Sequence, residues 1–222
     1  MKTKNKKQAV VVHSGGMDSS ICLAEAKEKF GAESVCSLSF LYNQRHELEV
    51  HQAAKICKDW GVDHKVVEIA CLKDVTHNAL MDEQEAIDGA AKNTLVVGRN
   101  GLMARLGAIF AASCGASCIY MGVVGADQSG YRDCSREYMD LMQEILRIDL
   151  ADPNFCIETP LVHMTKKETM ERAFSLNVLP YLLSMTLSCY EGLMHPGCKS
   201  CPACILRDKG IKEFQKEHPG VL

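Results

Sequence analysis

The stretch Ala9-Val10-Val11-Val12-His13-Ser14-Gly15-Gly16-Met17-Asp18-Ser19-Ser20 decides how this chain is read. Its leading apolar run predicts a buried strand, and the glycine pair behind it predicts a tight loop. From Asp18 to Phe30 the chain is helix-compatible and stops at Gly31, so strand, loop and helix N-terminus follow one another directly. Glycines let the backbone aim several N–H groups at one point, and the helix dipole adds partial positive charge there. Ser14, Ser19 and Ser20 can donate hydroxyl hydrogens to phosphate oxygens, while Asp18 can cap the helix or help hold a phosphate-bound metal ion. A capped turn with no ligand is the plainer alternative. The loop has neither Gly-Lys-Ser/Thr nor Gly-x-Gly-x-x-Gly, which disfavours a P-loop kinase and a dinucleotide dehydrogenase.

Working outward, 222 residues suit one α/β domain with an appended element. A hydrophobic share of 47% with 24% charged residues supports a full core. The formal net charge of -3 supplies no broad basic field, so stable nucleic-acid binding is not expected. Met1 to Lys7 is basic, but the apolar run behind it stops at His13, and nothing approaches a membrane span. The expectation is a cytoplasmic protein with no membrane partner.

Ser34 to Leu41, His64 to Ile69 and Ser117 to Val124 predict further strands. Helices are expected from about residue 47 to Trp60, from Leu102 to Cys114, from Arg136 to Arg147 and from Thr165 to Leu176. Strands and helices in this rhythm imply an α/β fold with a doubly wound parallel sheet, whose ligands gather at the carboxyl ends of the strands. Ser14 falls at such an end, and so does Tyr42-Asn43-Gln44-Arg45-His46, where Gln44 and Arg45 either face a ligand or begin an exposed helix. Residues 71–92 read as a loop with a short helix. Arg99 and Asn100 open the helix Leu102 to Cys114, either as anion binders or as surface caps. The loop Gly125 to Cys134 gathers Asp127, Tyr131 and Asp133 at another strand end, and Glu158 to Leu161 is a short extended stretch. A compositional boundary near residue 180 separates 1–180 from a cysteine-rich element at 181–222, which closes with a basic helix from Ile205 to Lys216.

Eight of the twelve cysteines are scattered, as reduced core cysteines would be. Cys189, Cys198, Cys201 and Cys204 instead form Cys-x8-Cys-x2-Cys-x2-Cys, a metal-binding pattern more than a disulfide one. Four thiolates can close a tetrahedron around Zn²⁺ at about 2.3 Å. An iron–sulfur cluster accepts similar spacing, so the metal stays open at this point. A complete set of four leaves no vacant position, which points to a structural role. His195 lies inside the loop, as a competing ligand or an exposed bystander.

Ser-Gly-Gly-Met-Asp-Ser after the first strand resembles the pyrophosphate loop of the ATP pyrophosphatases, which cleave ATP to an adenylated substrate and pyrophosphate. VVVHSGGMDSS, YNQRH, NTLVVGRN, DQSGYRDC, TPLVHMTKKET, and SCYEG followed by GCKSCPACILR occur in one order over nearly the whole chain. Together they resemble the QueC family of queuosine biosynthesis. The resemblance implies a ligase that converts 7-carboxy-7-deazaguanine, ATP and ammonia to the nitrile 7-cyano-7-deazaguanine, with a structural Zn²⁺ and with Mg²⁺ on the phosphates. It implies ATP on His13, Ser14, Gly15, Gly16, Met17, Asp18, Ser19 and Ser20, with Ser14, Asp18, Ser19, Arg99 and Lys166 carrying the chemistry. Lys166 has the alternative of a solvated lysine. Gln44, Arg45, Arg99, Asn100, Asp127, Tyr131 and Asp133 are the expected substrate contacts, Tyr131 by stacking and Asp127 or Asp133 by accepting from the ring N–H groups, with metal binding as the alternative for Asp133. A homodimer is expected. The family pattern has Phe and Pro where Leu95 and Val97 stand, an aromatic at Gln128 and Pro at Arg132, all expected beside the base pocket. The alternatives are an enzyme that stops at the amide, or one that amidates or thiolates another substrate such as tRNA.

Overall fold

The computed structural model describes residues 6–42, 47–76, 95–125 and 130–222. Gln44, Arg45, Asp127 and Gln128 therefore lie outside the described residues, as do Asn43, His46, Asn93 and Thr94. Strands β1 (Ala9–Val12), β2 (Val35–Leu41), β3 (Asp63–Glu68), β4 (Cys118–Met121) and β5 (Cys156–Glu158) form one sheet, ordered β3-β2-β1-β4-β5. Every pairing is parallel, which is the doubly wound arrangement expected. The chain winds outward from β1 to β3 and then returns to set β4 on the free side of β1. A crevice therefore opens beyond the carboxyl end of β1.

The helices are α1 (Met17–Phe30), α2 (Leu48–Trp60), α3 (Leu72–Val75), α4 (Arg99–Cys114), α5 (Arg136–Leu150), α6 (Lys166–Ser175), α7 (Leu179–Met185) and α8 (Pro202–Glu217). Strand alternation assigns them to two layers. Ala9 and Val11 of β1 pack with Ile21, Ile56, Met170, Leu182 and Phe214, while Val10 packs with Ala104, Ala108, Met139 and Leu146 on the opposite face. Both faces of β1 are buried, which is why it reads as a continuous apolar run. Leu182 of α7 and Phe214 of α8 sit in the same core as α1, so the chain beyond residue 180 closes that layer. Phe214 meets Phe174 of α6 edge-on at 5.6 Å between centroids.

Three departures from the expected elements have local causes. Strand β4 ends at Met121, because the chain at Gly122 runs so close to α1 that a Cβ would stand 2.7 Å from the Ser19 backbone nitrogen. Helix α4 begins three residues earlier than expected, since Gly98 in the left-handed region starts it at Arg99. Strand β5 occupies Cys156–Glu158, two residues ahead of the expected extended stretch, and Arg136 of α5 donates to the Ile157 carbonyl at 3.0 Å. Helix α6 carries a capping box of Thr165 and Glu168. Among the described residues no helix is long and apolar enough to cross a membrane.

Candidate active site

The loop after β1 is fixed by what lies beneath it. Gly15 takes φ +90°, and a Cβ there would stand 2.0 Å from the Glu49 carbonyl oxygen, so no other residue fits against the first turn of α2. Gly16 is the N-cap of α1 and supplies no side-chain cap, which leaves the first-turn amides to the loop and its surroundings. Ser14 and Ser19 stand with hydroxyl oxygens 3.1 Å apart, and the Ser14 hydroxyl accepts the Gly16 N–H at 3.2 Å. Ser20 is fully buried, and its hydroxyl donates to the Gly16 carbonyl at 2.8 Å.

His13 is fully buried as well. Its Nδ1 lies 3.0 Å from the Ser37 hydroxyl and its Nε2 3.0 Å from that of Ser20. Burial, with a smaller push from His64, takes its pKa down to about 3, so the ring is a neutral brace below the loop. Of the stretch expected to meet ATP, the side chains of His13 and Ser20 thus face inward, and those of Ser14, Asp18 and Ser19 remain for a ligand.

A cavity of about 740 Å³ opens above this loop at the carboxyl end of the sheet. Ser14, Gly16, Met17, Asp18, Ser19, Lys166 and Ser188 line one end of it. Lys166, the first residue of α6, holds both Asp18 carboxylate oxygens, at 2.6 and 2.5 Å. Lys166 is thus a cavity residue with only 13% of its side chain exposed. Arriving phosphates would compete for the ammonium and release the Asp18 carboxylate toward a cation.

Tyr42, Glu49, Arg99, Asn100, Met103, Tyr131 and Tyr190 line the other end. The Arg99 guanidinium donates to the Tyr42 hydroxyl at 3.4 Å and lies 5.9 Å from that ring's centroid. Tyr42, then Tyr131, Asp133 and Tyr190, favour its charged form. Burial pushes the Glu49 carboxyl up to about 7, although Arg99 pulls the other way. The result is a flat-walled compartment with a fixed cation, suited to an aromatic acid.

Asp133, one of the expected substrate contacts, is engaged within the protein. Its carboxylate accepts the Asn100 N–H at 3.0 Å, capping α4 from behind the wall, and it does not line the cavity. Leu95, Val97 and Arg132 do not line it either, and Val97 is 86% exposed. These three positions are therefore not part of the described cavity wall, although Arg132 adjoins Tyr131, which is. Sequence reasoning did not single out Glu49, Ser188 or Tyr190. Their one signal was position: Glu49 stands four residues past Arg45, and the other two flank Cys189.

Cys189, Cys198, Cys201 and Cys204 bring their sulfurs within 4.8 Å of one another. Tetrahedral bonds of about 2.3 Å place thiolates roughly 3.8 Å apart; the Cys198 and Cys204 sulfurs stand at 4.0 Å. The Cys201 N–H points at the Cys198 sulfur at 3.2 Å and the Cys204 N–H at the Cys201 sulfur at 3.5 Å, as thiolate acceptors require. The residues fit a single metal ion. His195 is exposed and outside the set.

A family model described as queuosine biosynthesis protein QueC matches residues 8–215. Among solved structures, an NH3-dependent NAD synthetase from Campylobacter jejuni subsp. jejuni NCTC 11168 aligns at 17% identity and TM-score 0.51, over 99% of this chain and 79% of that one. An NMN synthetase from Francisella tularensis aligns at 14% and 0.48, over 98% and 89%. The U34-tRNA thiolase NcsA of Methanococcus maripaludis, solved with its [4Fe-4S] cluster, aligns at 17% and 0.49, over 98% and 69%. At these identities the NAD synthetase supports the fold and nothing finer.

Proposed function

Since the chain belongs to the QueC family of queuosine biosynthesis, we propose that it makes 7-cyano-7-deazaguanine from 7-carboxy-7-deazaguanine, ammonia and ATP. One observation carries the reading: a single cavity joins a phosphate-ready loop to a compartment walled by tyrosines around Arg99. A carboxylate is a poor acyl donor, because its leaving group would be oxide. Attack of its oxygen on the α-phosphorus of ATP expels pyrophosphate and leaves an acyl adenylate. Ammonia then displaces AMP to give the amide. A second activation, at the amide oxygen, lets that oxygen depart with AMP as two N–H protons leave, which yields the nitrile.

The chain's own share is positioning and charge. Ser14, Ser19 and the backbone N–H groups around Gly16 receive the departing pyrophosphate, and Lys166 neutralises it. Arg99 holds the substrate carboxylate beside the α-phosphorus, and Tyr131 stacks on the heterocycle. Asp18 holds Mg²⁺, which screens the phosphate charge when bound. Zn²⁺ on the four cysteines is structural. Gln44, Arg45, Asn100 and Asp127 belong to this reading as further substrate contacts. It also includes a cytoplasmic homodimer, for which Leu141, Ile145 and Ile148, exposed along one side of α5, offer an apolar surface.

Incubation with the acid, ammonium and ATP tests the reaction. Nitrile with AMP and pyrophosphate is the expected outcome. Amide alone would reduce the enzyme to the first half, and AMP release independent of the acid would remove the substrate assignment.

A further inference from the structure

The segment that carries the cysteines also touches the nucleotide loop. Leu187 donates its N–H to the Gly15 carbonyl at 3.1 Å. Next along the chain, the Ser188 hydroxyl accepts the Met17 N–H at 3.5 Å, and Ser188 lines the cavity. Cys189, the first thiol of the set, follows at once and is 1% exposed. A second route leads through α8, which begins inside the cysteine cluster. Gly210 there packs so tightly on α6 that a Cβ would stand 2.9 Å from the Lys166 carbonyl carbon, and Lys166 holds Asp18. Ser200, two residues before α8, and Pro202, Ala203 and Arg207 within it line the cavity too.

We propose that the metal-held segment is a working wall of the nucleotide site. Ser188 fixes the Met17 amide and turns its own hydroxyl hydrogen to the phosphates, so that metal at the four cysteines sets nucleotide affinity as well as stability. This rests on the reading that phosphates sit on the Ser14–Ser19 loop. The physical reason is continuity. A hydroxyl that accepts one hydrogen bond still has a proton to give. With the neighbouring residue pinned by a metal bond, that hydroxyl is held in place before the ligand arrives. Ser188 is thus a positioning and binding residue.

The test measures affinity and stability separately on the full chain. ATP binding is followed by calorimetry, metal by cobalt substitution and its thiolate absorption, and stability by thermal melting. Ser188→Ala is expected to keep one metal per chain and its melting temperature within a few degrees. Its Kd for ATP should rise roughly five- to tenfold, as loss of one phosphate-directed hydrogen bond requires. Ser188→Thr, which keeps the hydroxyl, is expected to restore most of the affinity, and a purely structural role would not produce that rescue. Wild type stripped of metal should lose more affinity than Ser188→Ala. If stripping unfolds the chain, Ser188→Ala and its rescue decide alone. Unchanged ATP affinity in Ser188→Ala, with wild type binding ATP normally, overturns the coupling and leaves the functional reading intact. Wild type that is metal-loaded yet binds no ATP overturns both.

Discussion

The two ends of the cavity are built on opposite principles. At the phosphate end one continuous stretch, His13 to Ser20, supplies the loop, and buried hydrogen bonds from Ser37 and Ser20 hold it from below. At the other end Tyr42, Glu49, Arg99, Tyr131 and Tyr190 arrive from five separate segments. A loop of backbone amides recognises what all phosphates share. A compartment assembled from distant side chains can be altered one wall at a time, and it is where selectivity among aromatic acids would reside.

The largest expected effect tests the first principle. Asp18→Asn keeps the size of the side chain and removes the charge that meets Lys166 and a cation. We expect kcat/KM for pyrophosphate release to fall roughly 10²- to 10³-fold, with the circular dichroism spectrum unchanged. Near-normal turnover would mean that the phosphate end works without the Asp18–Lys166 pair.

Next in size is Gly15→Ala. The Cβ meets the Glu49 carbonyl at 2.0 Å and φ is +90°, so urea unfolding should show a loss of about 1–3 kcal/mol, from strain at such positions. ATP affinity should fall with it. Gly31→Ala is the control, since φ there is +80° with nothing within 4 Å. It should cost less and leave ATP binding alone. Equal losses at both sites would mean that the loop is not specially constrained.

The third prediction concerns the other end. Arg99→Lys keeps a positive charge but loses the planar fork. KM for the acid should rise about tenfold, as befits a lost bidentate contact, while the Kd for ATP stays put. If both constants move together, the two ends are not separable and the comparison fails.

The same contrast explains what could be read from sequence. The phosphate end was legible because its chemistry is contiguous: apolar run, glycine pair, hydroxyls and helix lie within twelve residues of chain. The cysteine set was legible for the same reason, and the parallel sheet because strands and helices alternate along the chain. The aromatic end was only half legible. Arg99 stands out at the start of a predicted helix and Tyr131 in a loop at a predicted strand end, but Glu49 and Tyr190 depend on tertiary proximity that no spacing encodes. Asp133 carried the right chemistry in the right loop, and only the structure gives its carboxylate to the Asn100 amide. Helix α7 passed unnoticed, since seven residues with a proline in the first turn leave little periodicity to detect.

The effect that is smallest per step, read per pH unit, separates the two ends by the sign of their response to pH. His13 lies below the phosphate end with its pKa taken from 6.5 down to about 3 by burial, so between those values the unfolded chain binds a proton that the folded one refuses. Stability from this group is complete above about pH 6.5 and drains away as the pH falls toward 3. The slope is at most about 1.4 kcal/mol per pH unit for one proton. Glu49, at the aromatic end, is raised by burial from 4.5 to about 7, so there the folded chain holds the extra proton. Its contribution is complete below about pH 4.5 and drains away as the pH rises through 7. Urea titrations of wild type, His13→Gln and Glu49→Gln across pH 4.5 to 7 isolate each group, because subtracting a variant's curve cancels the other carboxylates. Wild type minus His13→Gln should climb with pH, and wild type minus Glu49→Gln should descend. If both differences slope the same way, the buried imidazole below the loop and the half-buried carboxyl beside Arg99 do not titrate in opposite senses, and the division drawn between them must be abandoned.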